Sequence, residues 1–232
     1  MNHRKEIGGT LFGEGVEIGA YFNPWPLPAA SHVHYVDLHD QDTLRRMCDE
    51  DPHLKGDRRA NIPVTTFIGS GESLPWFPDK YLDFIVSSHV IEHFVDPIGA
   101  VRNWIRKTRS GGKIVFIAPN KEHTFDRDRP ITPWGELLNA HSYRYFYDQR
   151  RFTMFCEWRS MIDGMKSPEA VGQAVRDYQD PTCNIHFSVW DYPAFVDFVS
   201  RTLALVESLD GREVHAVTFA DGFESYAQIT VR

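Results

Sequence analysis

Residues 69–97 read GSGESLPWFPDKYLDFIVSSHVIEHFVDP, and the order of elements in and around this stretch decides the fold. YLDFIVSS (81–88) is a short apolar run bounded by turn residues, the pattern of a strand buried on both faces. Asp96 and Pro97 make a cap and first-turn pair for the helical pattern DPIGAVRNWIRKTR (96–109), which stops before Gly111-Gly112. KIVFIAP (113–119) is then a second buried strand. Strand, helix and strand in this order predict a parallel pair with the helix packed across the sheet.

The same alternation extends upstream. GVEIGA (15–20), VHYVDL (33–38) and VTTFIG (64–69) read as strands, and DQDTLRRMCDED (40–51) carries helical spacing. The C-terminus differs. EVHAVTFA (213–220) and SYAQITVR (225–232) are joined by a link so short, containing Asp221-Gly222, that only an antiparallel hairpin can form. A helix over 190–208 precedes it. The expected fold is therefore α/β and Rossmann-like: seven strands, mostly parallel, with a C-terminal antiparallel hairpin. The 232 residues suit one domain. Residues 120–189 are far more than a crossover needs, and their aromatic run (Tyr143, Tyr145, Phe146, Tyr147, Phe152, Phe155, Trp158) predicts a helical cap over the carboxyl edge of the sheet.

Composition narrows the function. A net charge of −7 disfavours a nucleic-acid partner, because neutralising phosphates needs a basic surface. No apolar run is long enough to span a bilayer, no secretory signal opens the chain, and three scattered cysteines predict neither disulfides nor a zinc ribbon. The expected setting is cytoplasmic. The arginines 144, 150, 151 and 159 either meet an anionic substrate or form a solvated face.

In a doubly wound sheet, ligands bind beyond the carboxyl ends of the strands. The first strand ends in VEIGAYFNPWP, where Gly19 allows a tight turn and close backbone approach. Asp37 ends the second strand, 18 residues later, where a carboxylate suits ribose hydroxyls. The full G-x-G-x-x-G is missing, which counts against a dinucleotide pyrophosphate and suits a nucleoside without phosphates.

VEIGA, VDLHD, the long 69–97 block and RSGGKIVFIAPN, in that order, resemble the class I S-adenosylmethionine-dependent methyltransferases (type 11-like) over about residues 14–120, and the terminal hairpin fits as well. The single glycine of the first motif is a departure from the pattern. The resemblance implies S-adenosyl-L-methionine as cofactor and S-adenosyl-L-homocysteine as product. It places Glu17 and Gly19 beside the methionine part, Asp37 on the ribose, Gly71 and Glu72 at the adenine, and Ser88 and His89 as closing residues.

HVIEH (89–93) allows a second reading, because H-x-x-E-H is one way in which zinc peptidases hold a metal and place a base. Spacing i, i+3, i+4 on a helix would set His89, Glu92 and His93 near one face. Following a strand that ends over the cofactor, the stretch is expected instead to start the next helix and close the site, with His93 facing the reaction centre or capping locally; a divalent metal is allowed but not assigned.

FDRDRPITP (125–133), followed by His141, resembles a bacterial subgroup associated with methylation of surface glycans or small metabolites. A hydroxyl acceptor needs a base within hydrogen-bond reach, and histidine is tuned for that near neutrality. His141 and His123 are therefore the candidate bases, with Asp126 and Arg129 positioning the acceptor; His186 is expected to be buried and hydrogen-bonded. Arg127 and Arg129 beside the aspartates could equally be an internal salt-bridge network. The expected function is methyl transfer to a small polar acceptor, with oxygen favoured over nitrogen. The competing classes are a nicotinamide-dependent oxidoreductase and a non-catalytic nucleoside-binding regulatory domain.

Overall fold

The computed structural model describes residues 3–51, 58–180 and 182–232. Its sheet has seven strands: β1 (Glu14–Ile18), β2 (His32–Asp37), β3 (Phe67–Ile68), β4 (Leu82–Ser88), β5 (Thr108–Pro119), β6 (Val214–Ala220) and β7 (Glu224–Val231), in the order β3-β2-β1-β4-β5-β7-β6. β1 to β5 run parallel, and β7 is antiparallel to both β5 and β6. This is the predicted Rossmann-like arrangement with its terminal hairpin.

Two strands differ in length from the sequence reading. The third is only a two-residue pair, because at this sheet edge the Thr66 hydroxyl accepts from the Tyr35 N–H and takes the place of a ladder bond. The fifth starts five residues early: Thr108 pairs with Leu82, and a register shift follows as the chain passes Gly111, whose φ is +81°.

The helices α1 (His3–Gly8), α2 (Gln41–Glu50), α3 (Pro97–Lys107) and α7 (Tyr192–Asp210) cover the sheet. Strand alternation divides the core. Val16, Ile18, Ile85 and Phe116 face α3 and α7, where Trp104, Phe116 and Phe195 meet edge to face. Phe84, Val86, Val115 and Ile117 face Ile7, Leu11 and Trp25. Asp96 caps α3 by accepting from Gly99 N at 2.8 Å, and Asp191 caps α7.

HVIEH does not start a helix. Ile91–His93 form a single 3-10 turn, and α3 begins only at Pro97, after the Asp96 cap, the proline disfavouring helical backbone just before it. His89 has φ +55°, a left-handed conformation at the end of β4.

The segment after β5 is helical, as expected: α4 (Trp134–Ser142), α5 (Arg144–Met161) and α6 (Ser167–Gln179). Met154, Phe155 and Ala174 pack with Ile185 and Phe187 of the returning chain, and with Val95 beside the turn after β4. The insertion is thereby fastened over the carboxyl ends of the parallel strands.

Candidate active site

A cavity of about 400 Å³ opens over these strand ends, within the size range of small-molecule sites. Its sheet-side wall is built from Ile18, Gly19, Asp37, residues 69–72 and His89; its far wall is His93, Tyr147, Arg151, Cys183, Asn184 and Phe187. Gly19, with φ +66°, lies so close to the next loop that a Cβ would sit 2.5 Å from Val90 Cγ2. At Gly71 a Cβ would collide with Ile18. Both positions need glycine because the backbone there packs directly against side chains of the cavity wall, Val90 and Ile18. Two side chains of α3 hold the 69–72 loop, Trp104 Nε1 donating to Gly71 O at 2.8 Å and Asn103 Nδ2 to Glu72 O at 3.2 Å.

The electrostatics are those of half-buried carboxyls. Burial pushes Asp37 up, against hydrogen bonds from the backbone of His39 and Leu38. Burial and the nearby Asp96 carry Glu72 up to about 7.

Not every predicted residue reaches this cavity. Of the seven expected at the cofactor, Gly19, Asp37, Gly71, Glu72 and His89 line it, and Glu17 and Ser88 do not. Glu17 accepts from Trp25 N with both oxygens (3.0 and 3.1 Å), and Ser88 Oγ accepts from Trp25 Nε1 at 2.9 Å. The two clamp Trp25 across the other face of the sheet, because residue 17 alternates with Val16 and Ile18, and Ser88 shares a face with Phe84 and Val86. Burial raises the Glu17 carboxyl to about 8. His89 donates towards Glu224 at 2.7 Å; burial lowers its pKa, but Glu224 and Glu92 outweigh that and the net shift is upward.

The two expected bases also lie elsewhere. His141 Nδ1 meets Asp96 Oδ2 at 2.9 Å, between α4 and the start of α3, and His123 is exposed with its ring against Phe223. Neither lines the cavity. Asp126 and Arg129 are buried, paired at 2.7 Å, and joined to a histidine: Asp126 Oδ2 meets His186 Nδ1 at 2.6 Å. The internal network anticipated for the DRDR stretch thus holds for Asp126 and Arg129, whereas Arg127 donates to Glu122 O. Of the arginine cluster, Arg144, Arg150 and Arg159 pair with Asp148, Glu136 and Asp177. Arg151 lines the cavity, over the Tyr178 ring.

Sequence reasoning missed the grouping at the end of this network. Glu92 is completely buried, and neither carboxylate oxygen has a hydrogen-bond partner. Its Oε1 lies 3.8 Å from His89 Nδ1, 4.0 Å from His93 Nε2 and 3.9 Å from His186 Nε2. His93 donates its Nδ1 proton to Ile185 O (3.0 Å), which turns Nε2 towards Glu92. Burial and the neighbouring His186 push the His93 imidazole down to about 3, leaving it neutral. No local signal ties His186 to residues 92 and 93; the aromatic run marked the insertion, not which of its residues face inward.

The cavity fits a nucleoside cofactor: glycines where the backbone must approach, a carboxylate at the end of β2, and a loop held by α3. Among the described residues no helix is long and apolar enough to cross a membrane. No curated protein matches the chain. Among solved structures, an S-adenosylmethionine-dependent methyltransferase from Thermotoga maritima superposes at TM-score 0.46 with 14% identity, over 94% of this chain and 82% of that one. Another from Aquifex aeolicus gives 0.46 and 11%, over 97% and 85%. An arsenic(III) S-adenosylmethionine methyltransferase from Chlamydomonas reinhardtii gives 0.41 and 15%, over 94% and 62%. A family model described as a methyltransferase domain matches residues 31–157, more than half of the 232-residue chain. With that match, the chain belongs to the methyltransferase-domain family, and its sheet order and cavity fit the class I S-adenosylmethionine-dependent fold.

Proposed function

We propose that this enzyme transfers the sulfonium methyl group to a hydroxyl of a small, polar, sugar-like or metabolite acceptor, and that residues 120–189 form the acceptor wall of a single catalytic domain. The observation that carries the reading is the far wall of the cavity. Arg151 and Asn184 offer polar contacts, Tyr147 and Phe187 offer ring faces, and the helical insertion fastened over the strand ends limits the acceptor to small molecules.

In this reading Asp37 takes the ribose hydroxyls, residues 69–72 border the adenine, and Gly19 makes room for the methionine part. Bound cofactor supplies an electrophilic methyl on sulfur. The chain's task is to align the acceptor oxygen with it and to exclude water. His93 is a positioning residue, its ring held through the Nδ1 bond to the Ile185 carbonyl. Asp126 and Arg129 act through His186 and do not touch the acceptor. Neither His141 nor His123 is retained as the base.

The test is a labelled-methyl assay of the purified protein against metabolite extracts and candidate polyols, with the labelled product identified by mass spectrometry and NMR. Label on a hydroxyl oxygen of a small molecule supports the reading. Label on nitrogen, on carbon, or on protein or nucleic acid overturns it.

A further inference from the structure

From the Glu92–His93–His186 cluster we infer a binding site for a divalent transition-metal ion of the zinc class, set in the acceptor wall of the cavity. Each of the three residues has a ligand atom available on the same side. The two imidazoles direct Nε2 towards Glu92, and the three ligand atoms lie within 4.8 Å of one another. Bonds of about 2.0–2.1 Å at tetrahedral angles would need ligand atoms about 3.4 Å apart. The separations of 3.9 and 4.0 Å from Glu92 Oε1 require only small side-chain rotations.

Three observations separate this cluster from a chance meeting of side chains. Glu92 is 0% exposed and both of its oxygens lack hydrogen-bond partners, a costly state for a carboxylate unless a cation or proton joins it. Both histidines are oriented through their other nitrogen, His93 by the Ile185 carbonyl and His186 by the Asp126 carboxylate at 2.6 Å. Carboxylate or carbonyl support of this kind fixes the tautomer of metal-bound imidazoles and strengthens them as donors. Arg129 in turn holds Asp126 at 2.7 Å and the His186 carbonyl at 3.0 Å. Two imidazoles and one carboxylate suit zinc, cobalt or iron(II) better than magnesium or calcium, which prefer all-oxygen shells.

The second candidate cluster, Glu14 with His32 and His34, lacks these features. Its carboxylate oxygens are already bonded to the two rings at 2.7 and 2.6 Å, and His32 is exposed.

His93 belongs both to the cluster and to the cavity wall, with Asn184 beside its ring. An ion held here could bind the acceptor oxygen and lower its pKa, so that a hydroxyl reacts without a strong protein base. That role rests on the methyl-transfer reading; ion binding does not.

The full-length protein is stripped with chelator and titrated with Co²⁺, reading the visible d–d absorption, and then with Zn²⁺ in competition. Bound metal is counted per chain, and S-adenosylhomocysteine binding is followed separately by calorimetry. The expected result is one ion per chain, with the band abolished in Glu92→Gln and His186→Asn, and affinity lowered about 10- to 100-fold in Asp126→Asn. Glu14→Gln should leave the titration unchanged. Far-ultraviolet circular dichroism and S-adenosylhomocysteine binding confirm that each variant is folded; if Glu92→Gln is not, Asp126→Asn decides. No cobalt band in the wild type, equal binding in folded His186→Asn or Asp126→Asn, or loss of binding in Glu14→Gln would overturn the site. Loss of product binding with the cobalt band intact would instead count against the cofactor reading alone.

Discussion

Replacing Asp37 with asparagine should separate binding from stability. The carboxylate ends β2 and faces the cavity; in the free protein its hydrogen bonds come only weakly from the chain, His39 N lying 3.3 Å from Oδ1. Asparagine keeps the shape, but it replaces an acceptor-only group with one that must turn a donor towards one ribose hydroxyl. Losing a charge-assisted hydrogen bond costs about 1.5–3 kcal/mol, which is roughly ten- to a hundredfold in affinity. Stability should move the other way. Burial raises the Asp37 pKa, so the folded state holds its proton more tightly than the unfolded state does. Stability is therefore lost as pH rises above the ordinary value of 3.8. The neutral amide removes that loss, so Asp37→Asn should melt at the same or a higher temperature at pH 7, with the difference vanishing in acid. Calorimetry with S-adenosylhomocysteine and thermal unfolding across pH read the two effects. Affinity within twofold of wild type would remove Asp37 from the cofactor site. A large drop in melting temperature would show that its role is structural.

Three further substitutions test other parts of the structure. Glu17→Gln should gain stability relative to wild type as pH rises from the ordinary 4.5 to about 8, because the raised carboxyl is progressively forced to ionise in a buried place; parallel melting curves across that window would refute it. His141→Asn should keep kcat within a few-fold and lose at most about 1 kcal/mol with the Asp96 pair; a fall of about 10²–10⁴ in a steady-state methyl-transfer assay would restore it as the general base. Trp104→Phe removes the indole bond to Gly71 O inside the core, so chemical denaturation should show a loss of about 1–3 kcal/mol, with weaker product binding in calorimetry; unchanged binding would detach the 69–72 loop from the cofactor.

What could be read from the sequence was what is local. The Asp96-Pro97 cap, the apolar runs of β4 and β5, and the short link between β6 and β7 each determine their own neighbourhood, and chirality and packing rules order the strands from there. Asp37 ends β2, and Gly19, Gly71 and Glu72 follow strand ends, so their place at the cavity follows from topology. Glu17 and Ser88 occupy the family's cofactor positions in the sequence, but period-two alternation puts both on the Trp25 face. His141 looked apt at a helix end, but nothing local shows that the end meets Asp96. His186 lies 94 residues beyond Glu92 in the chain (186 − 92), and the link between them exists only once the insertion has packed.

That packing explains why the two halves of the site are built so differently. The returning segment 184–188 is joined to the turn after β4 by Phe187 N and Ser188 N, both donating to Glu92 O at 2.8 and 3.0 Å. Two buried arginines complete the join. Arg150 donates to Val95 O (2.9 Å), Phe187 O (2.5 Å) and Ser188 Oγ (3.0 Å), and Arg129 donates to His186 O and to Asp126. A buried guanidinium is tolerable only when its donors are satisfied, so these carbonyls are held in one arrangement. The cofactor half depends on strand ends that any sheet of this topology presents. On the proposed reading, the acceptor half depends on Arg129 from the loop before α4 and Arg150 from α5, with Glu136 of α4 and Glu157 of α5 beside them. On that reading, changes in the insertion alter the acceptor wall while leaving the strand ends in place, whereas loss of either arginine should disturb Glu92, His93 and His186 together.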